Sequence, residues 1–211
     1  GVKMINKENI KAVIFDWGGV MCREAELFAS KALQQALDKT PEQIAEAIRP
    51  MYHDYYKGVY SSDEFWRAVL QHFQLTPNDQ LNPIALSLAY RSSYQAYPRM
   101  FQLVAALKPR YTLGLLSNLT PEMRDHIRVQ HHLSHYFHKQ VFSCDGDVRA
   151  MKPDPAIYLV VLRKMNVRPE EVLFIDNAQK NIDAAISLDI RAILFIDQEQ
   201  CLSELSTVLH I

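Results

Sequence analysis

Five short apolar runs punctuate the chain, at Lys11–Asp16, Tyr111–Ser117, Gln140–Ser143, Val172–Asp176 and Ala192–Ile196. The first, Lys-Ala-Val-Ile-Phe-Asp, is β-branched, stops at an acid and runs straight into Gly18-Gly19. That pattern predicts a buried strand ending in a tight turn. Segments of helical character separate the five runs. Strands without strong alternation, spaced by helices, predict an α/β fold: a doubly wound parallel sheet with helices on both faces.

Residues 24–97 depart from this rhythm and contain no alternating apolar run. Thr40-Pro41-Glu42-Gln43 is a helix start, with Thr40 as the N-cap, Pro41 at the first helical position and Gln43 closing a capping box. Ser61-Ser62-Asp63-Glu64 starts another, and Phe65, Val69 and Phe73 then fall on one helical face. Pro77, Pro83 and Pro98 punctuate the remainder. The expectation is a core domain formed by residues 1–23 and 98–211, with 24–97 inserted as a separate all-helical cap. The cap would be joined to the core by strand-free connections near Met21–Arg23 and Tyr97–Arg99. Its aromatic residues (Tyr52, Tyr55, Tyr56, Tyr60, Phe65, Trp66) read as packing rather than binding.

Composition narrows the classes. With 48% hydrophobic and 22% charged residues, the chain is that of an ordinary soluble globular protein. A net charge of −1 gives no electrostatic reason to expect a nucleic acid or an anionic membrane as partner. No uncharged apolar run approaches the roughly 18 residues that span a bilayer. Cys22, Cys144 and Cys201 are odd in number and widely spaced, which predicts reduced thiols and a cytoplasmic location.

In a doubly wound sheet, ligands bind at the carboxyl ends of the strands. Here those ends carry Asp16, Ser117-Asn118 and Asp176-Asn177. Lys152 stands just ahead of Pro153-Asp154-Pro155, where Asp154 is placed to cap a helix from Pro155 to about Lys164. Two carboxylates, a hydroxyl and an ammonium are thus expected to converge on one sheet edge. Such a set suits a phosphate held with a divalent cation: carboxylates for the metal, Ser117 and Lys152 for phosphate oxygens.

These residues carry a family resemblance. Phe15-Asp16-Trp17-Gly18-Gly19-Val20 resembles the first motif of the haloacid-dehalogenase-like hydrolases, and Leu115-Leu116-Ser117-Asn118 the second. Met151-Lys152-Pro153-Asp154-Pro155-Ala156-Ile157-Tyr158 is similar to the third. Phe174-Ile175-Asp176-Asn177, followed by Asn181-Ile182-Asp183-Ala184-Ala185, resembles the fourth. Order and spacing fit from about residue 11 to 197. A helical insertion directly after the first motif resembles the type-1 cap. The Asp-x-Gly first motif is similar to that of a bacterial sugar-phosphate phosphatase branch. The resemblance implies a phosphatase acting on a small phosphorylated metabolite. Asp16 would be its nucleophile, with an aspartyl-phosphate intermediate, and Ser117, Asn118 and Lys152 would meet the phosphate. Mg2+ would be held by Asp16, the Gly18 carbonyl, Asp176 and Asn177. The cap would close over the site and select the leaving group.

Two positions depart from the family pattern. Gly18 stands where most of these phosphatases carry a general-acid Asp, which implies a preference for leaving groups that need little protonation. Asn177 replaces a metal-binding Asp, which implies weaker magnesium binding. Dehalogenases of the family share the Asn and the missing acid, but place a small neutral residue where this chain has Asp176. A haloacid dehalogenase, or a weak or inactive relative with a binding role, are the alternative readings. His126, His131, His132, His135 and His138 crowd one stretch without tetrahedral metal-site spacing and read as a solvated helix face. Cys22 and Trp17 read as packing beside the nucleophile loop.

Overall fold

The computed structural model describes residues 10–24 and 27–209. Five strands form a parallel sheet: β1 (Ala12–Phe15), β4 (Thr112–Ser117), β5 (Lys139–Phe142), β6 (Val172–Asp176) and β7 (Arg191–Leu194), in the order β5-β4-β1-β6-β7. The chain therefore begins in the middle of the sheet, winds outward through β4 and β5, then returns to the other side of β1 with β6 and β7. In register, Phe15 lies beside Leu115 on one side and Ile175 on the other. The carboxyl ends of the three central strands are thereby level with one another.

Period-two alternation sorts these strands onto two apolar layers. Val13, Phe15, Leu113, Leu115, Leu173 and Ile175 face one core, shared with α6 (Pro98–Leu107), α7 (Pro121–Gln130) and α10 (Gln198–Leu209). Ala12, Ile14, Leu116, Val141, Val172 and Phe174 face the other, shared with α8 (Pro155–Met165) and α9 (Gln179–Ser187). Burial on both faces explains why the runs read as continuously apolar.

Between β1 and α6 lie α1 (Lys31–Leu37), α2 (Pro41–Ile48), α3 (Tyr52–Tyr56), α4 (Ser62–His72) and α5 (Pro83–Arg91). Both anticipated helix starts are formed. Thr40 and Gln43 make a reciprocal capping box, as do Ser61 and Glu64. The connections differ from the expectation of strand-free links. Cys22–Glu24 forms β2 and pairs antiparallel with β3 (Tyr94–Ala96), Cys22 opposite Ala96. This two-stranded ribbon stays apart from the core sheet. Three-residue strands of mixed polarity carry no periodic signal, and it is their mutual pairing that makes them strands. The inserted helices pack against the core. Tyr55, Phe65, Trp66, Leu86 and Tyr90 belong to the same buried cluster as Phe15, Trp17, Leu119 and Met123. No helix among the described residues is long and apolar enough to cross a membrane.

Candidate active site

The turn after β1 is built by its glycines. The Gly19 N–H donates to the Cys22 carbonyl at 2.8 Å and the Met21 N–H to the Trp17 carbonyl at 2.8 Å, reversing the chain within a few residues. Gly19 adopts φ +78°, and a Cβ there would fall 2.1 Å from Asn177 Nδ2, so both backbone and space demand glycine. Trp17 is fully buried and packs edge-on against Tyr94 and Phe101, which pins the turn from behind.

At the sheet edge the Lys152 ammonium lies between two carboxylates, 2.8 Å from Asp16 Oδ1 and 2.5 Å from Asp176 Oδ2. All three residues are buried, with Asp16 the most exposed at 7%. Asp176 is the most completely coordinated. Its Oδ1 accepts from the Ala178 N–H at 2.8 Å, and both of its oxygens accept from Asn181 Nδ2 at 3.0 Å. Asp16 Oδ1 also accepts from the Trp17 N–H at 2.7 Å. Ser117 is buried at the end of β4, and its hydroxyl favours the charged form of the Asp16 carboxyl.

Burial pushes the Asp16 carboxyl up from 3.8 to about 6; Lys152 opposes this shift and Asp176 adds to it. Burial also works against the Lys152 ammonium, but the two carboxylates outweigh it and hold the lysine charged, above its ordinary value. The cluster carries one net negative charge when both acids are ionised, in a setting where water offers little screening.

The residues singled out from sequence occupy this edge, with one reassignment. Asn118 was expected against the phosphate, but its side chain is committed to Lys152. Asn118 Oδ1 accepts from the Lys152 N–H at 2.8 Å and its Nδ2 donates to the Lys152 carbonyl at 3.0 Å. This two-point clamp holds the lysine-bearing loop, whose Lys152-Pro153 bond is cis, against the end of β4. Asp154 caps α8 as anticipated, accepting from the Ala156 N–H at 2.9 Å. Asn177 is exposed beside Gly19. Asn181, which lies in the fourth motif, holds Asp176, and its own carbonyl accepts from the Tyr158 hydroxyl at 2.9 Å. An amide five residues beyond a strand-end acid, on the sheet-facing side of the next helix, was the available signal.

His132, His135 and His138 are exposed, as the solvated reading expects, whereas His126 and His131 are half-buried. His131 Nε2 is 2.7 Å from the Tyr94 hydroxyl, and its ring lies against Trp17 and Phe101. His138 Nδ1 accepts from the Leu113 N–H. Trp17, Tyr94 and Phe101 form an apolar recess behind the turn that follows β1, and the half-buried His131 helps to fill it.

Residues 10–189 match the haloacid dehalogenase-like hydrolase family. This chain belongs to that family. Among its relatives, a phosphoserine phosphatase of Thermus thermophilus is 32% identical over 105 residues, 49% of this chain and 41% of that protein. A phosphorylated carbohydrates phosphatase of Thermotoga maritima is 44% identical over 62 residues, 29% of this chain and 27% of that protein. The matched stretch spans less than half the length of either phosphatase. The fold is also that of an HAD family enzyme from Bacteroides thetaiotaomicron, with a TM-score of 0.80, 19% identity, and coverage of 92% of this chain and 99% of that one. That enzyme is also known in complex with magnesium and inorganic phosphate.

Proposed function

We propose that this haloacid dehalogenase-like hydrolase is a magnesium-dependent phosphatase acting on a small phosphorylated metabolite, with Asp16 as its covalent nucleophile. The observation that carries the reading is the buried Asp16–Lys152–Asp176 cluster at the sheet edge with Ser117 beside it. The phosphatases among its relatives support the same class.

In the proposed reaction an Asp16 carboxylate oxygen attacks phosphorus, the ester P–O bond breaks, and the substrate oxygen leaves with the bonding pair. Water then attacks the phosphorus of the aspartyl-phosphate. The bond to Asp16 breaks, releasing inorganic phosphate and restoring the carboxylate. Ser117 and Lys152 neutralise the phosphoryl oxygens as charge gathers there, and Asn118 serves by fixing the Lys152 backbone. Gly18 offers no proton, so the departing oxygen takes its proton from solvent.

The residues present suit magnesium, because the donors are all hard oxygens: the Asp16 and Asp176 carboxylates, the Gly18 carbonyl and the Asn177 carboxamide. The ion would supply positive charge to the phosphoryl group. The net charge of the cluster, reduced to −1 by Lys152, implies a weaker hold on it than an added carboxylate would give. The family's dehalogenases place a small neutral residue where this chain has Asp176, which argues against dehalogenation. Three buried, free cysteines support a reducing, cytoplasmic setting.

The test is a phosphate-ester panel run with magnesium, with EDTA, and with an Asp16→Asn variant. Turnover that needs magnesium and is lost in Asp16→Asn is expected. Full activity in EDTA, or in Asp16→Asn, would contradict the proposal.

A further inference from the structure

A buried carboxylate without a cation joins the inserted helices to the core. Glu122 sits in the first turn of α7, five residues beyond Ser117, and is 8% exposed. It accepts the hydroxyl of Tyr55 from α3, the hydroxyl of Ser62 at 2.7 Å from α4, and the indole N–H of Trp66 at 3.1 and 3.2 Å, also from α4. Tyr55 and Trp66 are both fully buried. A carboxylate taken out of water retains its charge only where such donors replace the water. Pulling α3 and α4 away would therefore strand a charge and two buried donors together.

A second junction lies alongside. The hydroxyl of Ser143, at the end of β5 and fully buried, donates to the Tyr56 carbonyl at 2.6 Å while accepting the Leu119 N–H at 3.1 Å. One hydroxyl thus joins the last residue of α3 to the loop that follows Ser117-Asn118. A third junction is steric: Gly58, at φ +70°, lies so close to the core that a Cβ would come 2.4 Å from the Cys144 carbonyl. All three contacts involve the elbow between α3 and α4, residues 55–66, and all three end on the loop 117–123 or on the end of β5 that supports it.

We infer that the α3–α4 elbow is fixed to the core beside the Ser117–Met123 loop rather than part of a moving lid. Glu122 and Ser143 are then positioning residues that hold the Ser117–Met123 loop at the height where Ser117 meets Asp16. This rests on the phosphatase reading only for its kinetic consequence; the mechanical claim stands on the contacts alone. It narrows the role expected of the insertion, since any closure over substrate must come from elements outside residues 55–66.

The experiment is amide hydrogen exchange on the native protein, read beside steady-state kinetics with p-nitrophenyl phosphate and magnesium. Glu122→Ala strands the Tyr55 and Trp66 donors. Glu122→Gln keeps an acceptor for the indole, and Tyr55→Phe removes one donor without stranding another. Exchange across residues 117–123 should quicken about ten- to a hundredfold in Glu122→Ala, the scale set by unpaired buried donors. It should rise less in Glu122→Gln, and least in Tyr55→Phe. kcat/KM should fall about tenfold, with kcat sharing the loss, because the displaced Ser117 both binds the phosphate and meets its charge in the transition state. Unchanged exchange at 117–123 in Glu122→Ala, with faster exchange confined to the inserted helices, would overturn the inference. So would exchange rising equally throughout the molecule in Tyr55→Phe, the variant least able to unfold it. If no phosphate ester is turned over by the wild type, the phosphatase reading fails, while the exchange pattern still decides this one.

Discussion

With Lys152 replaced by Met, Asp16 and Asp176 would face each other across a dry site with no cation between them. Removing one partner of a buried ion pair costs about 3–5 kcal/mol, because an uncompensated charge remains. Urea unfolding in EDTA at pH 7.5 should register this loss. At pH 4.5 the deficit should shrink, since burial raises the Asp16 carboxyl to about 6 with Lys152 present and loss of the lysine raises it further, so that it is then neutral. A deficit independent of pH would contradict the assignment. Asp16 itself tests the opposite sign. Its folded-state pKa lies above the ordinary 3.8, so the folded protein binds more protons and stability falls as pH rises from about 4 to about 6. Asn carries no charge to penalise, so Asp16→Asn should raise Tm in metal-free buffer at pH 7.5 and leave it nearly unchanged at pH 4. The four clustered groups at this scale were legible because strand-end polarity and the Lys-Pro-Asp-Pro stretch mark them. The commitment of Asn118 to the Lys152 backbone was not, because a carboxamide's sequence position does not reveal its partner.

The turn after β1, which carries the proposed nucleophile, is the element on which leaving-group chemistry depends. A positioned general acid contributes about 10²–10⁴-fold, and Gly18 provides none. Rates should therefore fall steeply with leaving-group pKa, with p-nitrophenyl phosphate and acyl phosphates far ahead of alkyl phosphates; a flat series would show that another group supplies the proton. Asn177→Asp exchanges a neutral oxygen for a charged one beside the turn, and a magnesium titration of the rate should give a lower half-saturation point. Gly19→Ala should do harm on two counts, the left-handed backbone and the collision with Asn177. Its cost in unfolding free energy should be at least about 1–2 kcal/mol. Helix starts were legible at this scale because capping residues act locally. The β2–β3 ribbon was hidden, since each strand exists only through a partner some seventy residues away.

Across the whole molecule, the amino end of β1 is tied to that of β6 through Glu171. Lys11 reaches it at 2.7 Å and Arg168 at 3.1 Å, and the carboxyl is held down at about 2, chiefly by the Lys11 hydrogen bond. A depressed acid stabilises the fold above its unfolded value and loses that contribution as pH falls toward about 2. Glu171→Gln should accordingly lower Tm at pH 7 and converge with wild type near pH 2; a gap that persists in acid would assign the effect to packing. The α/β parallel sheet follows from a pattern that recurs along the chain, so it could be read in advance. How the inserted helices meet the core could not, because the Glu122 network and the His131 recess join residues far apart in sequence. The central claim is that phosphorus passes through Asp16. A single turnover of radiolabelled phosphate ester with magnesium, quenched in acid and digested, measures it directly. Label on the Asp16 peptide, released by hydroxylamine and missing from Asp16→Asn, is the predicted result. Turnover with no protein-bound label, or label that persists in Asp16→Asn, would contradict it.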